Sequence, residues 1–474
     1  MNDSTVSPEK PALLETLFEL LAAHRPIFRQ ERTFQRVWGL LMGELFVFAR
    51  HTVTQQLLAL GLTDGDWTAW YRLFSRERFN PQQASACLLG LTLADAPVQE
   101  PYVVGIDGVQ VPRSSQKMPG TSWLKALRTP PFRAGIHRAQ RFVNLSWLTP
   151  PEEGFRRAVP LGWWPAFPEK AVPADSPARK EWEAGAEAVA WTRTQLDAAG
   201  REAQPLVVLA DGSFEKPVAF WQALPERTVV LARCARNRVL YGLPGDYAGR
   251  GRPPVYGDRL PSPAGWLRVP GGWQKTTVAV RGHGREMRWR VVGPCLREGL
   301  PEQPVFLLVV RGQDRHVGKR RVRRDPAFFL VNAVAGEAGW ALPFPVETLL
   351  ALAWQRWELE VSHREVKSSF GLGQKQCWNR RAAVVSVQWS AWAYGLLLLA
   401  GYRTWGLLTG PPAPGRWWPG GRRWSFNTLW RAYRAELWGR PDFRAVWTRT
   451  GDNWLKKGDW LAALWNAASS SARS

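Results

Sequence analysis

Two short apolar runs in this sequence each lead into an Asp–Gly pair. YVVGIDGVQV contains Asp107, and PLVVLADGS contains Asp211. The β-branched residues of both runs are typical of strands, and the unbroken apolar stretch before Asp211 is typical of a strand buried on both faces of a sheet. If the strands are parallel, both aspartates end them at the same edge, where the ligand sites of α/β proteins gather. The ordinary alternative is that each aspartate only stabilises a turn.

Strands and helices alternate around these two runs. RFVNLSWL and residues 158–163 have strand character, residues 179–199 and 216–224 have a helical period, and residues 228–232 form a further apolar strand. This order predicts an α/β fold with a mixed sheet and flanking helices. A later block contains the runs TTVAVRG, MRWRVVG and VFLLVVRG, which alternate as antiparallel strands do and predict a β-rich insertion.

Shifts in composition divide the chain into five predicted segments. Leucines at helical spacing fill the first segment, and stretches rich in Pro and Gly mark the later boundaries. The segments are a helical N-terminal domain with DNA binding as one expected role (1–98), the first part of the α/β core (99–235), the β-rich insertion (236–330), the second part of the core (331–408), and a linker with a helical tail (409–474).

The N-terminal segment contains a helix, a turn at Gly61 and a second helix. Thr63 or Asp64 is suitably placed to cap the second helix. Three arginines follow on that helix, namely Arg72, Arg76 and Arg78. A pattern of this kind either contacts DNA or packs within a helical bundle, and the two alternatives carry equal weight.

The charge balance indicates a polyanionic partner. Lys and Arg number 63 against 40 Asp and Glu, for a formal net charge of +23. Such an excess favours nucleic acid or an anionic membrane, although a compositional bias towards Arg is an alternative. The four cysteines form no CxxC pair, which argues against a zinc site or a disulfide framework.

One apolar stretch raises the question of a membrane. Residues 382–402 carry no charge and are long enough to cross a bilayer. Gln388 and two serines interrupt the stretch, which favours a helix buried behind a sheet. The N-terminus also lacks a basic-then-apolar leader pattern. We therefore expect a cytoplasmic, nucleoid-associated protein that binds double-stranded DNA and no membrane.

A third acid lies in the helical segment WQRWELEVSHREVKSSFGLGQKQ. Arg356, Glu360 and Lys367 are spaced so that all three share one helix face. His363 and Arg364 join the same side. Two neighbouring acids, Glu358 and Glu365, miss this register. The alternative is a solvated ladder of salt bridges.

Two aspartates and a glutamate at one edge of a sheet would form an all-oxygen site. Such a donor set suits Mg²⁺, with Mn²⁺ as a substitute. Two metal ions about 4 Å apart can activate the attacking oxygen and stabilise the leaving oxygen of a phosphodiester. The pattern therefore predicts metal-dependent phosphodiester chemistry at Asp107, Asp211 and Glu360.

The three acids resemble the catalytic triad of DDE-type insertion-sequence transposases. One subgroup carries Tyr-x2-Arg-x3-Glu-x6-Lys on the helix with the catalytic Glu, and Arg356, Glu360 and Lys367 match that spacing. The tyrosine position falls on Ala353, and Trp354 is the nearest aromatic residue. The resemblance covers roughly residues 100–405. It implies a ribonuclease-H-like fold, interrupted by a β-rich insertion between the second Asp and the Glu.

The resemblance also implies an activity and its partners. The enzyme would use two Mg²⁺ ions to cut and paste a transposon, binding the transposon ends and target DNA as a homodimer. Second-strand cleavage in this subgroup proceeds through a DNA hairpin. A catalytically inactive DNA-binding descendant and a structure-selective nuclease on the same fold are the alternatives.

Further residues are predicted to contact DNA. The basic loop after the first aspartate, which includes Arg138, is either a phosphate-binding loop or a solvated one. Arg356, His363, Arg364 and Lys367 are predicted to bind DNA beside the acids. In related transposases an aromatic residue of the insertion stacks on a flipped base. The candidates here are Trp266, Trp273 and Trp289.

Overall fold

The structure is a computed structural model of the whole chain. It describes residues 12–62, 65–125, 135–172, 178–245, 247, 249, 252–317, 320–337, 339–411 and 423–439. The predicted cap at Thr63 or Asp64 lies outside the described residues, as does most of the predicted C-terminal tail.

Most of the strands form one large mixed sheet. Its strands are β1 (Tyr102–Pro112), β2 (Thr121–Lys125), β3 (Ile136–Leu148), β4 (Ala158–Pro165), β5 (Leu206–Ala210), β6 (Thr228–Arg233), β7 (Gln274–Val280), β8 (His283–Arg297), β9 (Leu300–Val310) and β12 (Ala327–Asn332). Two small hairpins stand apart, β10 (Gln313–Val317) with β11 (Arg320–Arg324), and β13 (Val334–Gly336) with β14 (Gly339–Ala341).

The order across the sheet is β2-β3-β1-β5-β6-β12-β9-β8-β7, and β4 also pairs with β3. Strands β1, β5 and β6 are parallel neighbours, whereas β1 and β3 are antiparallel. This confirms the predicted mixed α/β fold and the parallel pairing of the two acid-bearing strands. The arrangement is consistent with a ribonuclease-H-like fold.

Twelve helices surround the sheet in the described part of the chain. They are α1 (Leu13–Ala22), α2 (Glu31–Phe46), α3 (Val53–Ala59), α4 (Thr68–Ser75), α5 (Pro81–Thr92), α6 (Glu181–Ala198), α7 (Gly212–Glu215), α8 (Val218–Gln222), α9 (Val346–Gln355), α10 (Trp357–Ser368), α11 (Arg380–Trp405) and α12 (Phe426–Gly439).

Helix α11 is the uncharged stretch that the sequence singled out. By length and composition it could cross a membrane, but 89% of its most apolar window is buried inside the protein. It packs on β4 on one side and on α1, α4 and α5 on the other. The prediction of a buried helix behind a sheet is confirmed. Through α11, the N-terminal helices and the sheet share one apolar core.

The insertion strands are antiparallel, as predicted, but they do not form a separate sheet. β8 pairs with β9, β9 pairs with β12, and β12 pairs with β6. The insertion therefore extends the central sheet, because the outer edge of β6 has backbone groups that need partners. The five segment boundaries remain predictions.

The far edge of the sheet curls back over α9 and α10. In the turn between β7 and β8, the amides of Arg281 and Gly282 donate to the carbonyls of Gly154 (3.2 Å) and Glu153 (2.8 Å), in the turn between β3 and β4. A second apolar core joins β7, β8 and the central strands to α9 and to Leu359 of α10. We call the two backbone hydrogen bonds between the β7–β8 turn and the β3–β4 turn the clasp.

Candidate active site

The two aspartates lie side by side at the end of the parallel pairing between β1 and β5. The last paired residues are Ile106 and Ala210, and Asp107 and Asp211 follow them. Both follow odd-numbered residues that face α9 and α10, including Val103, Val207 and Leu209. Because side chains alternate along a strand, both acids are directed to the same face of the sheet.

The predicted position of Asp107 needs one correction. The sequence placed it at the end of a strand, but β1 continues to Pro112. Beyond Asp107 the strand pairs with β3 alone, and Asp107 stands opposite Asn144. The Asp–Gly pair is therefore not a turn here. It marks the point at which β5 ends and β1 runs on.

A glycine lets the third acid approach. A Cβ atom at Gly105 would lie 2.5 Å from Cδ1 of Leu359 on α10, much closer than real Cβ contacts. Only a residue without a side chain allows α10 to lie this close to β1. The next residue, Glu360, thereby reaches the face that carries Asp107 and Asp211.

Arg356 lies between two of the acids. Its guanidinium is 2.9 Å from Glu360 Oε1 and 3.8 Å from Asp107 Oδ2. The contact with Glu360 confirms the predicted i, i+4 relation. The predicted continuous helix is divided into α9 and α10, and Arg356 is the residue between them.

The pKa of Asp107 shows the influence of the other two acids. Burial is the main cause that raises the pKa of the Asp107 carboxyl to about 7. The charge of Arg356 opposes this rise, and the charges of Asp211 and Glu360 add to it. Asp107 is therefore close enough to both other acids to feel their charges, as like charges in one site require.

His363 faces Asp107 from the inside of α10. Its Nε2 is 2.9 Å from Nδ2 of Asn144, and its Nδ1 is 3.7 Å from Asp107 Oδ2. Burial, together with the charges of Lys367 and Arg356, lowers the pKa of His363 to about 3, so the ring is neutral. These contacts join His363 to the acids and leave its predicted contact with DNA untested.

The predicted cations differ in their distance from the acids. Burial lowers the pKa of Lys367, and the charge of Asp107 opposes that shift, so Lys367 lies near Asp107. Arg364 is exposed on α10. Arg138 lies six residues from Asn144 along β3, about 20 Å away at the usual rise per residue, and donates to Oγ1 of Thr121 at 3.1 Å.

The rival acids on α10 are held elsewhere. Glu358 pairs with Arg281 of the β7–β8 turn at 3.0 Å. Glu365 accepts a hydrogen bond from the Tyr394 hydroxyl at 2.7 Å and lies 3.6 Å from Arg157. Both are therefore committed to structural contacts.

Asn144 is a site residue that the sequence reasoning missed. It is fully buried and lies opposite Asp107. An amide side chain inside the predicted strand RFVNLSWL was the available signal, because buried amides need hydrogen-bond partners. Its partners are Ser146 on the same strand and His363.

The three acids offer the kind of oxygen ligand that suits a divalent metal ion. Carboxylate oxygens are the ligands that Mg²⁺ prefers. Among the described residues, no group of three or more His, Cys, Asp or Glu side chains is assembled closely enough to hold an ion. Arg356 accounts for part of this, since it pairs with Asp107 and Glu360, and a bound cation would compete with that pairing.

The three insertion tryptophans are buried or half-buried, and their predicted base stacking stays a prediction. Trp289 is buried, with 7% of its surface exposed. Trp266 and Trp273 are half-buried, and Arg290 lies 5.2 and 5.0 Å from their ring centroids. Arg311 lies 4.4 Å from the Trp273 centroid. Arginines of this protein therefore already cover the half-buried rings.

Comparison with known proteins gives one family. Residues 25–293, more than half of the chain, match the family model described as DDE superfamily endonuclease. The match includes Asp107 and Asp211 and ends before Glu360. A comparison with curated proteins gives no match.

Proposed function

Since the chain belongs to the DDE superfamily endonuclease family, we propose that it is a cut-and-paste DNA transposase. Family membership indicates a nuclease or transposase with a nucleic-acid substrate. The finer proposal rests on one observation. Two aspartates follow neighbouring parallel strands on one face of the sheet, a glutamate lies on the helix that packs on that face, and the charges of Asp211 and Glu360 both act on Asp107.

The proposed roles of the side chains follow from their positions. Asp107, Asp211 and Glu360 would hold two Mg²⁺ ions, or Mn²⁺ in their place. Metals bound there would activate the attacking oxygen and neutralise the leaving oxygen. Lys367 and Arg356 supply positive charge beside the acids, where it can hold the phosphate next to the scissile bond. His363 and Asn144 orient the Asp107 carboxylate.

The proposed partners are the transposon ends and target DNA, bound by a homodimer of this chain in the cytoplasm. The net charge of +23 supports a polyanionic partner. Hairpin formation at the cut end belongs to the same proposal, on the strength of the Arg356, Glu360 and Lys367 spacing.

The test uses purified protein and a labelled duplex that carries the inverted repeats flanking the gene. We expect cleavage that depends on Mg²⁺, followed by joining of the freed 3′ ends to a second duplex. Asp107→Asn, Asp211→Asn and Glu360→Gln should each abolish cleavage and leave DNA binding intact. Glu347→Gln, at an exposed acid on α9, is the matched control.

The alternatives give different outcomes in this assay. Nicking without strand transfer would identify a structure-selective nuclease. Tight end binding with no cleavage in Mg²⁺ or Mn²⁺ would identify an inactive descendant. Loss of folding in all three acid variants would show that the acids are structural.

A further inference from the structure

Two tryptophans expose more of their surface than any other large apolar side chain in the described residues. Trp378 is 66% exposed and Trp123 is 62% exposed. Each has a cation beside its ring. Arg138 lies 5.1 Å from the Trp123 centroid, and Lys117 lies 5.8 Å from the Trp378 centroid. A single exposed ring is ordinary, but exposed rings that share one surface with cations form a candidate interaction site.

The two rings belong to one connected surface. Trp123 on β2 stands opposite Arg138 on β3. The Arg138 guanidinium donates to the Thr121 hydroxyl (3.1 Å), and that hydroxyl donates to the carbonyl of Met118 (2.8 Å). Met118 follows Lys117, whose ammonium lies beside Trp378. We call the surface formed by Trp123, Arg138, Lys117 and Trp378 the aromatic platform.

Arg113 fixes the two halves of the platform to each other. Its backbone amide donates to the carbonyl of Arg138 at 3.0 Å. Its guanidinium donates to the carbonyls of Gly373 (3.0 Å) and Lys375 (3.1 Å), in the segment that leads to Trp378. Only 4% of Arg113 is exposed, so this link is shielded from water. The backbone segments that carry the two rings are thus fixed relative to each other.

The platform continues the face that carries the acids. Arg138 and Asn144 are an even number of residues apart on β3, and Asn144 is the partner of Asp107. Alternate residues of a strand share a face, so Arg138 and Asp107 lie on the same side of the sheet. Arg138 and Asp107 are about 20 Å apart along this face, and the buried residues Gln140 and Phe142 lie between them.

The next cross-strand pair adds to the surface. Lys125 stands opposite Ile136, and both are exposed on the same face as Trp123. The named residues thus present flat rings and positive charge together, and no acid is among them. Aromatic rings beside cations are the combination with which proteins bind the bases and phosphates of single-stranded nucleic acid.

We propose that the aromatic platform binds the unpaired nucleotides of a DNA strand, with Trp123 and Trp378 stacking on bases and Arg138 and Lys117 contacting phosphates. The inference rests on the proposed function for its nucleic-acid substrate. It assigns base stacking to β2 and to the segment after α10, whereas the predicted candidates lay in the insertion.

The experiment measures binding of the full chain to a labelled oligothymidine strand and to a labelled duplex, by fluorescence anisotropy. Trp123→Ala and Trp378→Ala should each weaken single-strand binding roughly 5- to 150-fold, the range expected for loss of one stacked base. Duplex binding should change far less. Trp123→Phe keeps a stacking ring and should retain most of the affinity.

Trp340→Ala is the matched control, because Trp340 is 42% exposed on β14, outside the platform. A strand containing 2-aminopurine gives a second readout, since stacking on tryptophan should quench its fluorescence with the wild type and not with Trp123→Ala. Thermal unfolding of each variant checks that the fold is kept.

Three results would overturn the proposal. One is single-strand binding by Trp123→Ala and Trp378→Ala equal to that of Trp340→Ala. Another is an altered oligomeric state in light scattering with unchanged oligonucleotide binding, which would make the surface a protein interface. The third is a wild type that binds no single strand. Cleavage of duplex DNA by the same wild-type preparation separates these failures from failure of the proposed function.

Discussion

At the scale of single residues, Asp107 carries a conflict between stability and chemistry. Its carboxyl is mostly buried, and two further acids face it, so its negative charge is unfavourable in the folded protein. The charge of Arg356 and a backbone hydrogen bond from Gly108 offset only part of that cost. Repulsion between neighbouring carboxylates, which a bound cation would relieve, is typical of functional sites.

This conflict predicts how stability depends on pH. The pKa of Asp107 is about 7 in the folded protein, against an ordinary value of 3.8. Between these values the folded state keeps a proton that the unfolded state has released, so stability falls as the pH rises through this window. In EDTA, Asp107→Asn should be more stable than the wild type at pH 8, on the order of 3 kcal/mol.

Urea unfolding at pH 4 and pH 8 checks this prediction. The gap between the two proteins should close at pH 4, where Asp107 is protonated in the wild type. Glu347→Gln, at an exposed acid, should track the wild type at both pH values. An Asp107→Asn protein less stable than the wild type at pH 8 would mean that the charge is stabilising.

At the scale of elements, the contact between α10 and β1 depends on Gly105. A side chain there would collide with Leu359, and α10 would have to move away from the strand. Because Glu360 follows Leu359, such a movement would also separate the third acid from the two aspartates. The packing of α10 and the position of Glu360 are thus linked at Gly105.

Gly105→Ala should destabilise the fold by about 1–3 kcal/mol, as overpacking of a core does, and should reduce cleavage. Adding Leu359→Ala should recover part of both losses, because it removes the colliding methyls. Urea unfolding and the cleavage assay measure the double-mutant cycle. Gly90→Ala in α5, where an added Cβ would meet nothing within 4 Å, is the control. Additive losses would contradict the proposed collision.

At the scale of the whole molecule, a buried charge network ties the N-terminal helices to the segment after α10. Glu44 of α2 is fully buried. Its carboxylate lies 2.6 Å from the Lys375 ammonium and 2.7 Å from His51 Nδ1. Burial alone would raise the pKa of Glu44, but the charges and hydrogen bonds of Lys375 and His51 lower it to about 2. Glu44 is thus ionised and needs its partners.

Lys375→Met should destabilise the protein by about 3–5 kcal/mol, because it leaves a buried carboxylate without its cation. Adding Glu44→Gln should restore much of the loss. Lys275→Met is the control, since Lys275 and Glu286 form an exposed pair worth about 1 kcal/mol or less. Circular dichroism and tryptophan fluorescence should report one shared transition in urea. Two separate transitions would show that the N-terminal helices unfold independently.

Local patterns predicted the parts of this fold that depend on nearby residues. The strands before Asp107 and Asp211 follow from their apolar runs, and the contact between Arg356 and Glu360 follows from helical spacing. Contacts between distant segments leave no such pattern. The pairing of Glu44 with Lys375, the joining of β12 to β6 and the collision space at Gly105 all depend on tertiary packing.

The exposure of the two tryptophans of the aromatic platform also could not be predicted from the local sequence. Trp123 and Trp378 are two tryptophans among 29, and nothing in their neighbours distinguishes them from buried ones. Only the pairing of β2 with β3 and the position of the segment after α10 reveal that both rings are exposed.

The clasp has a consequence for the way the chain is made. The turns around Gly154 and Arg281 leave the ribosome before residues 346–368, which form the two helices beneath the curled sheet. While these two helices are still being synthesised, no helix covers the apolar side of the curled strands. The helix with Glu360 therefore has to pack beneath strands that are synthesised before it. Glu360 can therefore join the face that carries Asp107 and Asp211 only after most of the chain has been synthesised.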